Sequence, residues 1–317
     1  MFKYSRLDIE MLSKETDFKK DNLEKVLRLI DILKFIDSKE VFNPLKLKGG
    51  TALQLAVFNF KRLSVDIDFD FHINEDKDNV QKKRDEIKDF LKRYMDTEGY
   101  TLSERSRISY SLDSFVFKYK NLRGNDDNIK IDINYTNRIH VLEPTKFEYK
   151  SAIFGDFNIN MLSELELFAT KINALIVRTV PRDFYDTFLI VRDGLVSKKD
   201  YELLKKIIVF YYVLSNHDTS LFESIENLKN NLDRLGYKEI KKSLIPVLNK
   251  NDKFDSNIAS NMVMDFLNEV LVLTEKEKDF IDCSKSSEFR MELLFSEEFE
   301  RLNDHPRIKW LIQNKNN

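Results

Sequence analysis

The sequence has almost no cysteine, with Cys283 alone in 317 residues. Without a second thiol, an internal disulfide and a Cys-based zinc site are both excluded. The four histidines are scattered without metal-ligand spacing, so any catalytic metal must be held by oxygen. Long hydrophobic runs are missing too. The longest, Ile207 to Leu214, is far short of the roughly 18 residues of a membrane span. The start Asp8-Ile9-Glu10 is unlike a signal peptide, so a cytoplasmic protein with no membrane partner is expected. Nor is there a surplus of one charge: 52 basic against 54 acidic residues leave -2. Affinity for nucleic acid therefore cannot be argued from net charge and would need a local patch. Gly 7 and Pro 5 are few for this length, which excludes collagen-like and Pro-rich linker segments.

What is present is a globular composition. The 42% hydrophobic content supports a substantial core in one large or two smaller domains. The first 40 residues read helical, with Leu23, Val26, Leu27, Leu29, Ile30, Ile32, Leu33 and Phe35 among charged residues, and with Asp21 or Asn22 as the expected cap. After Pro44 comes the one Gly-Gly pair, Gly49-Gly50, followed by a short helix expected from Thr51 to about Phe58. The period then changes. Val65, Ile67, Phe69, Phe71 and Ile73 alternate with Asp66, Asp68, Asp70 and His72, the pattern of a half-buried strand with one acidic face.

The charged stretch Asp76 to Lys92 reads as an exposed helix, and Arg107 to Leu112 and Phe115 to Tyr119 alternate as strands. A polar turn leads into Ile129-Lys130-Ile131-Asp132-Ile133-Asn134-Tyr135, a second strand that carries a carboxylate. From Leu162 onward only helical periodicity remains: Leu165, Phe168, Ile172, Leu175 and Ile176 share one face, Pro181 suits a first helical position, and Thr274 with Glu277 forms a capping box. The expected fold class is α+β, with a mixed-sheet domain over 1–160 and a mostly helical domain over 161–317.

On a strand, Asp66 and Asp68 point the same way with alpha carbons about 6.6 Å apart. Two carboxylates so placed can share a divalent metal, and a third, Asp132 on a neighbouring strand, can activate an attacking hydroxyl. Gly49 and Gly50 permit a tight turn whose amides approach phosphate oxygens closely, and Thr51 adds a hydroxyl. Arg62 and Ser64, leading into the acidic strand, can contact phosphate or ribose, although turn hydrogen bonding explains Ser64 equally well. Taken singly, a Gly-Gly turn or an alternating-Asp strand has a plainer structural reading. In combination, at one spacing, they point to nucleotidyl transfer. His72 and His140 have no readable partners, and Tyr211-Tyr212 reads as core.

This order of motifs resembles the nucleotidyltransferase superfamily that includes DNA polymerase beta. More closely, Lys48-Gly49-Gly50-Thr51-Ala52-Leu53, Arg62-Leu63-Ser64-Val65-Asp66-Ile67-Asp68-Phe69 and Lys130-Ile131-Asp132-Ile133 resemble the AbiEii family of type IV toxin–antitoxin systems. Glu166-Leu167-Phe168-Ala169-Thr170-Lys171-Ile172-Asn173-Ala174-Leu175 and Arg182-Asp183-Phe184-Tyr185-Asp186 extend the likeness, which covers about residues 45 to 195.

The resemblance implies a nucleotidyltransferase-like domain followed by a helical domain that completes the active-site cleft. It implies metal ligation by Asp66, Asp68 and Asp132, and nucleotide binding by Lys48, Gly49, Gly50, Thr51, Arg62, Ser64 and Lys171. Asp183 or Asp186 would serve the active site from the helical domain. Mg²⁺, or Mn²⁺ in its place, would be the cofactor and an NTP the co-substrate. The implied partners are a tRNA acceptor and a cognate antitoxin encoded by an adjacent gene. The alternatives are transfer to a protein or small molecule, and a nucleotide-binding module without turnover.

Overall fold

The computed structural model describes residues 2–151, 155–215 and 221–315. The chain forms two compact units whose segments interleave: Met1–Arg138, Glu143–Leu162 and Pro246–Asp252 in the first, and Ile139–Leu142, Ser163–Ile245 and Lys253–Asn317 in the second.

The first unit opens with α1 (Arg6–Thr16) and α2 (Lys20–Asp37). Ser5 caps α1 through a capping box with Asp8, while Leu23, Val26, Leu27, Ile30 and Leu33 supply the buried stripe of α2. Neither Asp21 nor Asn22 caps that helix. Lys19 stands at its start without a side-chain bond, and the Asn22 amide donates instead to the Pro246 carbonyl, 2.6 Å away. A tertiary acceptor, supplied by the segment that returns to this unit from far along the chain, has taken the group that local chemistry assigns to capping.

Strand β1 (Leu45–Lys48) runs into α3 (Gly49–Ala52), a single turn continued by a π-helical turn over Leu53–Val57. The helix thus starts two residues before Thr51. Then follow β2 (Asp66–Phe71), α4 (Lys77–Thr97), β3 (Thr101–Leu102), β4 (Arg107–Ile108), β5 (Leu112–Lys120), β6 (Asp126–Asn134), β7 (Thr145–Tyr149) and β8 (Phe157–Met161). Asp76 caps α4 by accepting from the Asp78 and Asn79 amides. Of the alternating segment Arg107 to Leu112, only two residues pair before the chain reverses, because Arg107 and Ile108 lie opposite Ser114 and Asp113 in a hairpin.

Among the described residues the strands form one mixed sheet in the order β3-β5-β6-β2-β1-β8-β7, with β4 on β5. The central strand β2 lies antiparallel to β1 and parallel to β6. Its Ile67, Phe69 and Phe71 are buried, as are Ile129, Ile131 and Ile133 of β6, and each such side chain contributes about 1.5–3 kcal/mol. The period-2 pattern therefore sets which face of β2 meets the core, and Asp66 and Asp68 emerge on the other.

One buried ion pair ties α4 to the sheet. Arg84 donates to both oxygens of the fully buried Asp113, its Nε at 3.1 Å, while Tyr135 Oη donates to the same carboxylate at 2.9 Å. The guanidinium lies over the Tyr135 ring, 4.1 Å from its centre.

The second unit is helical: α5 (Glu164–Arg178), α6 (Pro181–Arg192), α7 (Tyr201–Ser215), α8 (Leu221–Arg234), α9 (Tyr237–Ser243), α10 (Ser256–Val270), α11 (Glu275–Lys285) and α12 (Pro306–Lys315). Pro181 opens α6, and Thr274 with Glu277 caps α11 through a capping box, as their sequence positions predict. Buried Glu166 on α5 accepts from the Val141 and Leu142 amides and from Tyr211 Oη of α7. Burial raises its carboxyl above the ordinary range even though His140 and these donors favour the charged form. Tyr211 and Tyr212 are core residues, the latter bonded to Ser224 at 2.7 Å.

Asp113→Ala leaves the Arg84 charge buried without its carboxylate, and we expect a loss of about 3–5 kcal/mol. In urea unfolding the midpoint should fall with the slope unchanged. A loss under about 1 kcal/mol would show that this pair does not hold α4 to the sheet.

Candidate active site

In the first unit, the pairing of β2 with β6 sets Asp68 opposite Asp132 and Asp66 opposite Lys130. Paired alpha carbons in adjacent strands are about 4.8 Å apart, so these three carboxylates and one ammonium share a small patch of one sheet face. Both Asp132 oxygens are engaged: Ser114 Oγ donates to Oδ1 at 2.6 Å and Lys130 Nζ to Oδ2 at 2.5 Å. Burial disfavours the Lys130 charge, but the Asp132 hydrogen bond and the fields of Asp132, Asp68 and Asp66 outweigh it and raise the amine's proton affinity. This is a position that favours a cation.

Gly49 and Gly50 bring the turn to this patch. A Cβ on Gly49 would lie 2.9 Å from Asp68 Oδ2, and its φ of +68° already suits glycine. A Cβ on Gly50 would lie 2.6 Å from Arg62 Nη2 and 2.8 Å from Ser64 Oγ. The missing side chains thus admit the carboxylate at one glycine, and the guanidinium and hydroxyl at the next.

Arg62 is buried and donates from Nη1 to the Leu63 carbonyl at 2.8 Å. The segment bearing it is braced by residues from the connection between α9 and α10: Arg62 bridges Leu248, and the Leu63 amide donates to the Val247 carbonyl. The Gln54 side chain accepts from the Ser64 amide.

Two predicted nucleotide-binding groups are already committed elsewhere. The Thr51 hydroxyl donates to the Asp66 carbonyl, locking the turn to β2. The Lys48 ammonium lies 2.5 Å from Oδ1 of the buried Asp70. Sequence reasoning missed Lys130, Ser114, Asp70 and Gln54 as parts of this cluster. Lys130 was findable, because it lies two residues from Asp132 on a strand and must share its face.

In the second unit, Lys171 of α5 is buried. Its Nζ lies 2.9 Å from Asp183 Oδ1 and 3.0 Å from Asp186 Oδ2, both buried on α6. Arg178 Nε reaches Asp183 Oδ2 at 2.5 Å. Arg178 was not foreseen, although it follows Lys171 by seven residues and so shares its helical face. Burial alone would push the Asp183 carboxyl up, but Lys171 and Arg178 hold it below the usual range. Arg182 donates from Nε to the Ser243 carbonyl at 2.9 Å.

Among the described residues no three of His, Cys, Asp and Glu stand as a ready-made metal cage. Asp66 and Asp68 still suit Mg²⁺, which takes one or two carboxylates and fills its remaining positions with water and substrate phosphate. The raised proton affinity of Lys130 beside them marks the patch as favourable to added positive charge.

The sequence matches, over residues 32–259, the family described as the nucleotidyltransferase AbiEii toxin of type IV toxin–antitoxin systems. The chain belongs to this family. As an AbiEii-family protein it is a toxin-type nucleotidyltransferase that uses an NTP. No functionally curated protein matches the sequence. Among solved structures it is similar to MenT4, a nucleotidyltransferase toxin from Mycobacterium tuberculosis H37Rv, with a TM-score of 0.68 and 17% identity over 92% of this chain and 97% of that one. At that identity the shared property is the fold, and it agrees with the expected α+β class.

Gly50→Ala must displace a buried arginine, so the AbiEii-family protein carrying it is expected to lose about 1–3 kcal/mol of stability and at least about tenfold in NTP affinity, read by urea unfolding and nucleotide titration. Wild-type values for both would rule out a tight approach at this turn. Asp183 yields a pH prediction. Its folded carboxyl titrates below the unfolded value of about 3.9, so its stabilisation is complete above that pH and is lost as pH falls through the folded value. The urea midpoint of Asp183→Asn should lie below wild type at pH 7, and the gap should close below about pH 4. A constant gap would mean that its charge is not what stabilises.

Proposed function

We propose that the protein transfers NMP from an NTP to an acceptor hydroxyl, that the acceptor is the 3′ end of tRNA, and that the modification blocks translation. The convergence of Asp66, Asp68 and Asp132 beside the Gly49-Gly50 turn carries this reading. Asp66 and Asp68 would hold Mg²⁺ or Mn²⁺, with Asp132 as the third carboxylate. When bound, the divalent ion neutralises triphosphate charge and stabilises the leaving pyrophosphate.

The chain's own residues do the rest. The Gly49 and Gly50 amides, Arg62 and Ser64 bind phosphate oxygens and orient the α-phosphorus. Asp132 accepts the proton of the acceptor hydroxyl, whose oxygen bonds to the α-phosphorus as the bond from that phosphorus to the bridging oxygen breaks and pyrophosphate departs. Ser114 and Lys130 position Asp132 for that proton. Lys171 contacts nucleotide phosphate, and Asp183 and Asp186 hold its ammonium in place. A type IV toxin also implies an antitoxin, for which an adjacent gene is the natural source.

The test uses NTPs labelled at the α- or γ-phosphate, Mg²⁺ and total RNA. Label should enter tRNA from the α position only, and Asp66→Asn and Asp68→Asn should each cut incorporation by about 100-fold or more. Transfer from the γ position would make the enzyme a phosphotransferase. Label in protein alone would move the acceptor out of RNA.

A further inference from the structure

The net charge of -2 conceals a basic groove on the second unit. The turn between α5 and α6 forms one wall, and α8 with α9 forms the other, enclosing about 730 Å³. Arg178, Arg182, Arg234 and Lys242 line it against one carboxylate, Glu239. Glu239 is itself spent on capping α9, accepting from the Gly236 amide at 3.0 Å. Even with Arg178 paired to the buried Asp183, Arg182, Arg234 and Lys242 outnumber the committed Glu239, which is not the mixed-sign surface that an overall charge near neutral produces by default.

Two further features favour phosphate. The α6 helix starts in this groove, and its cap, Val180, has no side-chain acceptor for the first-turn amides, while the one carboxylate of that turn, Asp183, is buried and already held by Lys171 and Arg178. Three of the four cations are arginines, whose planar guanidinium matches a phosphodiester better than an ammonium does. Arg182 also bonds the Ser243 carbonyl at the end of α9, which ties the two walls together. At one end, Arg178 joins the groove to the cluster of Lys171, Asp183 and Asp186 through its bond to Asp183.

We propose that this groove binds the phosphate backbone of single-stranded RNA. On the reading given above, on which this part rests, that RNA is the acceptor. An acidic protein segment is the competing occupant. Continuity with the cluster of Lys171, the proposed contact to nucleotide phosphate, favours the nucleic acid.

The experiment takes the full chain with Arg234→Glu and Lys242→Glu together, both exposed residues outside the proposed reaction centre. Binding of a labelled single-stranded oligoribonucleotide is followed by fluorescence anisotropy across a salt series, alongside incorporation of α-labelled NTP into RNA. The variant should bind RNA at least about tenfold more weakly, with a salt slope shallower by about 1.4 if both side chains meet phosphates. Its melting temperature and NTP affinity should match wild type.

Unchanged RNA affinity and slope overturn the proposal, as does poly-L-glutamate competing as well as RNA at equal charge. An equal loss of NTP affinity also overturns it, by assigning the groove to the nucleotide. If the wild type binds RNA through this groove but transfers no label to it, the groove stands and the acceptor reading fails. If label enters RNA equally in both proteins with equal affinity, the acceptor reading stands and the groove fails.

Discussion

The structure turns on crowding of like charge along one sheet face. Parallel pairing of β2 with β6 sets Asp68 opposite Asp132, with Asp66 two residues along. Two carboxylates about 5 Å apart repel by about 3 kcal/mol at an effective dielectric near 20, so this face is unfavourable unless positive charge or hydrogen-bond donors accompany it. The chain supplies them locally. Lys130 and Ser114 serve Asp132, and Lys48 serves Asp70. The burial of Ile67, Phe69, Ile131 and Ile133 on the opposite face holds the strands in the register that creates the crowding, so core packing sustains the charged face.

The second unit repeats the principle in a buried cluster where the two signs balance. One buried lysine, Lys171, stands between two buried carboxylates, and Arg178 supplies the second cation at Asp183. A buried ion pair of this kind is weak evidence for stability in itself. Its effect is positional, because Lys171 sits in one rotamer set by two partners on another helix. An ammonium so held presents its charge at a defined place, as electrostatic preorganisation requires.

Legibility followed the range of the interactions. The alternation at Asp66–Phe71, the charged helix that starts beside Asp76, Pro181 at the start of α6 and the Thr274–Glu277 box all read directly, because each depends on neighbours a few residues apart. Gly49-Gly50 read as a close-approach turn, and the approaching groups are Asp68, Arg62 and Ser64. What did not read were the partners. Asn22, with Asp21 one of two expected caps, instead meets Pro246, 224 residues away. The burial of Lys171 did not read, because its spacing shows the apolar stripe and not the two carboxylates that allow it. Residues 246–252 read as part of a helical half, yet they brace Arg62 and Leu63 in the first unit.

The sequence by itself determined the secondary structure around the site and the face of β2 and β6 on which carboxylates emerge. It did so because side-chain periodicity and residue chemistry are local properties. Tertiary structure alone decided that Asp132 stands opposite Asp68, that the Thr51 and Lys48 groups are spent on Asp66 and Asp70, and that Lys171 is buried between Asp183 and Asp186. Those outcomes depend on strand register and on partners distant in the chain, which no periodicity encodes.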